Sequence, residues 1–258
     1  MVVVKSDDPG EALFKRYLKA SSYNVLAYEP DLGTVKRPDF LIRAAGHEVV
    51  VEVESFNTPP MPLTPRSGFV NMTPKMSAVR NKITAGAEQL KGIEGYPLVV
   101  VLANPRNSWV PLEGPVFIGA LFGDSQVSFA PDSELHFHSG RNGRLHVKEP
   151  DGSVRGNHPY LSAVAVLRYV YPQAAWAAAM KHSQHAGNDN PLAVMRGAHH
   201  LLAQQGETAA EAACLDVYES VSETAVPLPR EVFAGPHDTR WGITSPGQYG
   251  QLAGARPG

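Results

Sequence analysis

The stretch that decides the fold runs Arg37-Pro38-Asp39-Phe40-Leu41-Ile42-Arg43, then Ala44-Ala45-Gly46, then His47-Glu48-Val49-Val50-Val51-Glu52-Val53-Glu54-Ser55-Phe56. Two apolar runs joined by a short glycine-containing turn predict a β-hairpin whose second strand is rich in valine. With the turn centred on Ala45, residue numbers summing to about 90 or 91 face each other, so Asp39 lies opposite Val51 or Glu52. Alternation along the second strand puts Glu52 and Glu54 on one face and Val49, Val51 and Val53 on the other, against a core. Asp39, Glu52 and Glu54 are therefore expected to converge at one end of the hairpin.

Outward from the hairpin, Leu13, Phe14, Tyr17 and Leu18 recur at helical spacing and predict a helix over Pro9 to Ala20, capped by Asp7 or Asp8 with Pro9 in its first turn. Pro59 to Pro74 reads as an irregular, proline-rich loop. A second amphipathic helix is expected from Thr73 as cap through Met76, Val79, Ile83, Ala87 and Leu90, ending near Gly92. Tyr96 to Ala103 is a continuous apolar run, the pattern of a strand covered on both faces. The helix before it implies a crossover to a parallel position, hence a mixed sheet. Further along come a glycine-containing segment through Leu121, an alternating stretch from Leu135 to Val147 and a buried strand from Leu161 to Tyr171. Alanine-rich helical sequence is expected from Gln173 to about Glu223. The fold class expected is α/β (α+β), a mixed central sheet flanked by helices. Residues 1–235 are read as one domain, with a core region 9–104 and an extension 105–235, and 236–258 as a loosely packed tail.

Composition narrows the function. The chain has 258 residues, 43% hydrophobic, with 23 basic against 25 acidic side chains and a formal net charge of -2, so any polyanion must be held in a local groove rather than by bulk charge. The single Cys214 leaves no internal disulfide and no thiolate cage. No apolar run approaches the roughly 18 residues of a membrane helix, and the start lacks an export-signal pattern, so cytoplasmic residence is expected and no membrane partner. No glycine-rich loop followed by Lys-Ser or Lys-Thr is present to cradle a nucleotide. His136 with His138 and His182 with His185 share faces, but without further ligands around them solvated histidines are the commoner account than a zinc site. Trp109, Trp176 and Trp241 are assigned no role.

The carboxylate cluster carries the chemistry. Like charges so close repel, and a fold tolerates them most simply around a hard divalent cation with oxygen ligands, Mg2+ or Mn2+. Such an ion implies a phosphate substrate and hydrolysis without a nucleophilic side chain. Two glutamates at i and i+2 more often mark a solvated strand face, and Pro-Asp most often marks a turn. It is the placement of Asp39 across the hairpin from Glu52 that favours ligands.

Here the sequence resembles the PD-(D/E)xK phosphodiesterases, which include many restriction and repair nucleases. The matching text is Pro38-Asp39, the hairpin, and Glu52-Val53-Glu54, preceded by a helix containing Glu11 and followed by one ending Ala87-Glu88-Gln89-Leu90. The likeness runs from about Glu11 to Asn104. It implies a restriction-endonuclease-like fold, Asp39 and Glu52 as metal ligands with help from Glu11, and Gln89 lining the site. One departure stands out, since the family usually has lysine where this chain has Glu54. Glu54 would then act as base or as a further ligand, or the missing cation has migrated. Lys75, Lys82 and Gln89 are seven apart on the second helix and form one polar stripe, from which Lys82 can reach the site. Lys36, Arg37 and Lys75 are expected phosphate contacts. The function this implies is a metal-dependent endonuclease acting on DNA, with RNA as the alternative substrate and a homodimer as one assembly. The competing reading is a catalytically inactive nuclease-like module that binds nucleic acid or protein.

Overall fold

The hairpin forms with the anticipated register: Phe40 faces Val51 and Ala44 faces His47, closed by Ala45 and Gly46 at φ 49° and 85°. Two successive left-handed residues give the turn whose twist matches that of the strands it joins. In this computed structural model the described residues are 8–57, 76–106, 110, 112–123, 126–129, 135–138, 143–145, 147–148, 154–155, 157–185, 191–220, 222–245 and 248–252.

In chain order the elements are α1 (Pro9–Ala20), β1 (Asn24–Tyr28), β2 (Phe40–Ala44), β3 (His47–Ser55), α2 (Met76–Leu90), β4 (Leu98–Ala103) and α3 (Gly114–Phe122). Two short hairpins follow, β5 (Gln126–Phe129) with β6 (Leu135–His138) and β7 (Val147–Lys148) with β8 (Val154–Arg155). Then come β9 (Ala163–Val170), α4 (Gln173–His185), α5 (Pro191–Gln205), β10 (Ala212–Glu219), β11 (Thr239–Ser245) and β12 (Gln248–Gln251).

Eight strands make one mixed sheet in the order β1-β2-β3-β4-β9-β10-β11-β12. β3, β4 and β9 run parallel to one another, which brings their C-terminal ends to one edge. All six residues of β4 are buried, as its unbroken apolar sequence requires of a strand covered on both faces. On one face Leu13, Phe14, Tyr17 and Leu18 of α1, each at most 2% exposed, pack with Val49, Val51 and Val53 of β3. At ~1.5–3 kcal/mol per fully buried large apolar side chain, this stripe is what seats α1. On the other face Val79, Ile83, Ala87 and Leu90 of α2 cover Val50, Val100 and Leu102. Among the described residues no helix is long and apolar enough to cross a membrane.

Two expectations are corrected. Residues 212–219 do not continue the helical stretch but form β10, which pairs antiparallel with all eight residues of β9. Burial of Cys214, Leu215 and Val217 between layers overrides the helix propensity of the alanines that precede them. Nor are the described residues of the C-terminal segment loosely packed, since β11 joins β10 in parallel and pairs antiparallel with β12. Arg240, 9% exposed, anchors it by an ion pair with Glu219 and by donating to the carbonyls of Leu228, Pro229 and Val232 at 2.6, 2.9 and 3.1 Å. Single polar side chains inside a Gly/Pro-rich sequence carry that docking, and periodicity does not register them.

Asp238 ties this segment to the rest of the molecule. Its carboxylate accepts from the Tyr17 hydroxyl at 2.6 Å, the Leu215 N–H at 2.8 Å and the Gly235 N–H at 2.7 Å. Asp238→Ala is expected to strand three donors and lower unfolding stability by about 2–4 kcal/mol, read by chemical denaturation. A variant as stable as wild type would show that the segment docks without this clamp.

Candidate active site

The site begins where β2 enters the sheet. Pro38 is buried and fixes the chain just before the strand, so that Asp39 meets β3 from the side. The Asp39 carboxylate accepts from the Val53 N–H at 2.8 Å, and the Asp39 N–H in turn donates to Glu52 Oε2 at 3.1 Å. These reciprocal bonds lock Asp39 and Glu52 together. Glu52 is 6% exposed, and burial with the adjacent Asp39 charge pushes its carboxyl up to about 9. Burial pushes Asp39 up to about 6 despite the Val53 bond, with the charges of Glu11, Glu54 and Glu29 adding to the shift.

Glu54 takes a different partner. Lys82, arriving from α2, places Nζ 2.8 Å from Glu54 Oε2. The approach depends on Gly86, one turn further along α2. A Cβ there would sit 2.8 Å from Val100 Cγ1 and 3.2 Å from Glu54 Cγ. Gly86→Ala is expected to push α2 off the sheet and lower stability by about 1–3 kcal/mol, outweighing the ~1 kcal/mol that alanine gains in helix propensity. The same variant draws Lys82 away from Glu54. Denaturation midpoints read the first effect, and a midpoint equal to or above that of wild type would show that the helix yields without strain.

Glu11 stands in the first turn of α1, partly exposed, 3.9 Å from Lys15. Its charge is felt by both Asp39 and Glu52. What brings α1 so close is Asp8, one of the two expected caps, together with Gly10, Ser55 and Asn57, which the sequence did not flag. Asp8 caps α1 by accepting from the Gly10 N–H at 2.8 Å, and it also accepts from the hydroxyl of Ser55 and, at 3.0 Å, from Asn57 Nδ2. A Cβ at Gly10 would overlap Ser55 Oγ and lie 2.8 Å from the Ala103 Cβ. The available signals were the Ser55-x-Asn57 pair directly after the motif and a glycine inside each flanking helix.

No protein-family profile, no curated protein and no solved structure matches the chain. The site therefore stands on its own geometry.

Of the remaining expected residues, Gln89 is half-buried on α2 two turns beyond Lys82. Lys36 and Arg37 are exposed on the segment before β2, where Arg37 lies 3.4 Å from Asp31. Lys75 and the loop Pro59 to Pro74 lie outside the described residues, as do the side chains of His136, His138 and His185. His182 is exposed. Among the described residues no three His, Cys, Asp or Glu side chains form a ready-made cation cage. Asp39 and Glu52 are instead held by backbone N–H groups, while Glu54 is held by Lys82.

Proposed function

We propose that this chain is a metal-dependent phosphodiesterase that hydrolyses DNA. The observation that carries the reading is the buried Glu52 hydrogen-bonded beside the half-buried Asp39, with a lysine delivered next to them at Glu54. Two adjacent carboxylates, one of them buried, would not be kept for stability, because burial and the Asp39 charge raise the proton affinity of Glu52 and burial raises that of Asp39.

The donor set fits a hard divalent cation. Every candidate ligand atom is a carboxylate oxygen, and the charges of Asp39, Glu54 and Glu11 add to burial in raising the Glu52 carboxyl, so a cation there would meet a negative potential. Asp39 and Glu52 would hold Mg2+ or Mn2+, with Glu11 beside them. The ion supplies Lewis-acid stabilisation of charge developing on a phosphodiester. The protein's own groups do the rest. The Val53 N–H fixes one Asp39 oxygen and leaves the other to bind. Glu54 is placed to accept a proton from the attacking water, and the Lys82 ammonium orients that carboxylate and offsets charge on the phosphate. The exposed Lys36 and Arg37 lie just before Asp39 in the chain and would contact phosphates further along the strand.

The test is cleavage of plasmid and linear DNA with Mg2+ or Mn2+, run beside RNA. Asp39→Asn keeps an oxygen for the Val53 N–H, so the fold is preserved while a ligand charge is lost. Activity is expected to fall by about 1000-fold or more, the equivalent of several kcal/mol of Lewis-acid stabilisation. Wild-type cleavage by Asp39→Asn would sink the reading.

A second reading has its own support. The carboxylates of Asp39 and Glu52 already cap backbone N–H groups, a structural role that needs no ion. If millimolar Mg2+ and Mn2+ leave the thermal midpoint of wild type unchanged, the chain is a nuclease-like binding module.

A further inference from the structure

A cavity of about 430 Å³ opens at the C-terminal ends of β4 and β9, next to the carboxylates but separate from them. Its position follows from strand register. Glu54 pairs with Leu102, and Leu102 with Val166, so Arg168, two residues beyond Val166, shares the sheet face of Glu52 and Glu54. Two strand spacings across and two residues along place it about 12 Å from Glu54. A nucleic-acid strand rising ~3.4 Å per nucleotide when stacked as in a duplex covers that distance in about three or four nucleotides, and an extended single strand in fewer.

The walls of the cavity are chemically distinctive. Tyr171 and Trp176 meet edge to face, with centroids 6.3 Å apart, and His199 of α5 meets the Trp176 ring edge to face at 4.6 Å. Arg168 is held rigidly by Asp216, Nε to Oδ2 at 2.6 Å and Nη2 to Oδ1 at 3.2 Å, and Thr239 braces the same carboxylate at 2.6 Å. The Arg168 side chain is nevertheless 38% exposed and lines the cavity. Glu113 adds a carboxylate to the lining.

The two helices that supply Trp176 and His199 pack on each other through Ala179, Ala198 and Leu202. Their sequences contain Lys181, Arg196 and four histidines but no aspartate or glutamate. In a chain with more acidic than basic residues, two helices without an acidic side chain beside a phosphodiesterase site are suited to a polyanion.

We infer that this cavity is a nucleobase pocket, which seats an unpaired base of the DNA strand a few nucleotides from the scissile phosphate. It deepens the phosphodiesterase reading and rests on it, because it assigns that enzyme a single-stranded or locally opened substrate. The aromatic walls offer a stacking surface to any base. Glu113 can accept from an exocyclic amine, and the fixed guanidinium of Arg168 offers donors to a base carbonyl or the adjoining phosphate.

The test is equilibrium binding of a fluorescently labelled ten-nucleotide single-stranded DNA to the full chain without divalent metal, beside an otherwise identical strand made abasic throughout. Wild type is expected to prefer the intact strand. Trp176→Ala should weaken intact-strand binding by about 5- to 100-fold and leave abasic binding unchanged, while Trp176→Phe retains most of the affinity. Equal binding of intact and abasic strands by wild type overturns the pocket. So does intact-strand binding by Trp176→Ala equal to that of wild type, or equal losses on both strands, which would mark Trp176 as purely structural. Metal-dependent cleavage is scored separately. Base-dependent binding without cleavage keeps the pocket and removes the phosphodiesterase, and cleavage without base-dependent binding does the reverse.

Discussion

Glu52→Gln is expected to abolish metal-dependent cleavage and, above neutral pH, to make the protein more stable than wild type. The two effects share one cause. Glu52 is buried against Asp39, so its folded-state pKa of about 9 lies above the ordinary 4.5. The folded chain therefore holds this proton more tightly than the unfolded chain does. Below about pH 4.5 both states are protonated and the group is neutral to stability. As pH rises the unfolded state releases its proton first, so stability falls, and the loss is complete near pH 9. Glutamine stays neutral throughout and can still accept from the Asp39 N–H, so at pH 8 the variant should gain on the order of 2–4 kcal/mol, with no gain at pH 4. The same proton competes with any cation at the site. Stabilisation by Mn2+ should therefore grow as pH is raised from 6 to 8 in wild type and be absent from Glu52→Gln. Thermal unfolding across this pH range, with and without Mn2+, reads all of these at once. A variant less stable than wild type at pH 8 would show that the ionised carboxylate is a structural asset.

The parts of this molecule that were legible from sequence are those in which local pattern and burial agree. The hairpin register follows from Ala45-Gly46 and from valines at alternate positions, so Asp39 and Glu52 could be placed side by side before any coordinates. α1 and α2 carry their apolar stripes openly, and β4 is apolar throughout. Legibility ends where position depends on long-range polar contacts. β10 begins with alanines that continue a helical composition, and only pairing along the full length of β9 makes it a strand. Asp238 and Arg240 dock the last strands through bonds to Tyr17 and to the carbonyls of Leu228, Pro229 and Val232. At the site, the polar stripe on α2 suggested that Lys82 could reach inward. That its partner is Glu54, and that Gly86 permits the approach, depends on a helix-to-sheet distance that no local pattern encodes.

Lys82→Ala is expected to reduce cleavage by about 100- to 1000-fold with little change in metal-induced stabilisation, because in the proposed phosphodiesterase its ammonium would serve charge at the reacting phosphate rather than hold the ion. Relocating the charge separates position from identity. Glu54→Lys alone sets two ammonium groups within 3 Å or so of one another where one carboxylate had paired at 2.8 Å, and the repulsion should drive Lys82 outward and impair both fold and activity. Glu54→Lys combined with Lys82→Gln removes that conflict and puts a lysine on β3 itself, on the face that already carries Glu52. If chemistry needs one cation at this place and is indifferent to the element that delivers it, the double variant should recover to within about tenfold of wild type, the coupling being of the size expected for two charges in direct contact. If Glu54 is itself the proton acceptor, the double variant stays as inactive as Glu54→Gln, because no carboxylate remains to receive the proton from the attacking water. Cleavage rates for Lys82→Ala, Glu54→Gln and the double variant, taken with their thermal midpoints, decide between a displaced lysine and a working glutamate. Full activity in both Lys82→Ala and Glu54→Gln would remove both roles from the pair and leave it a brace between α2 and β3.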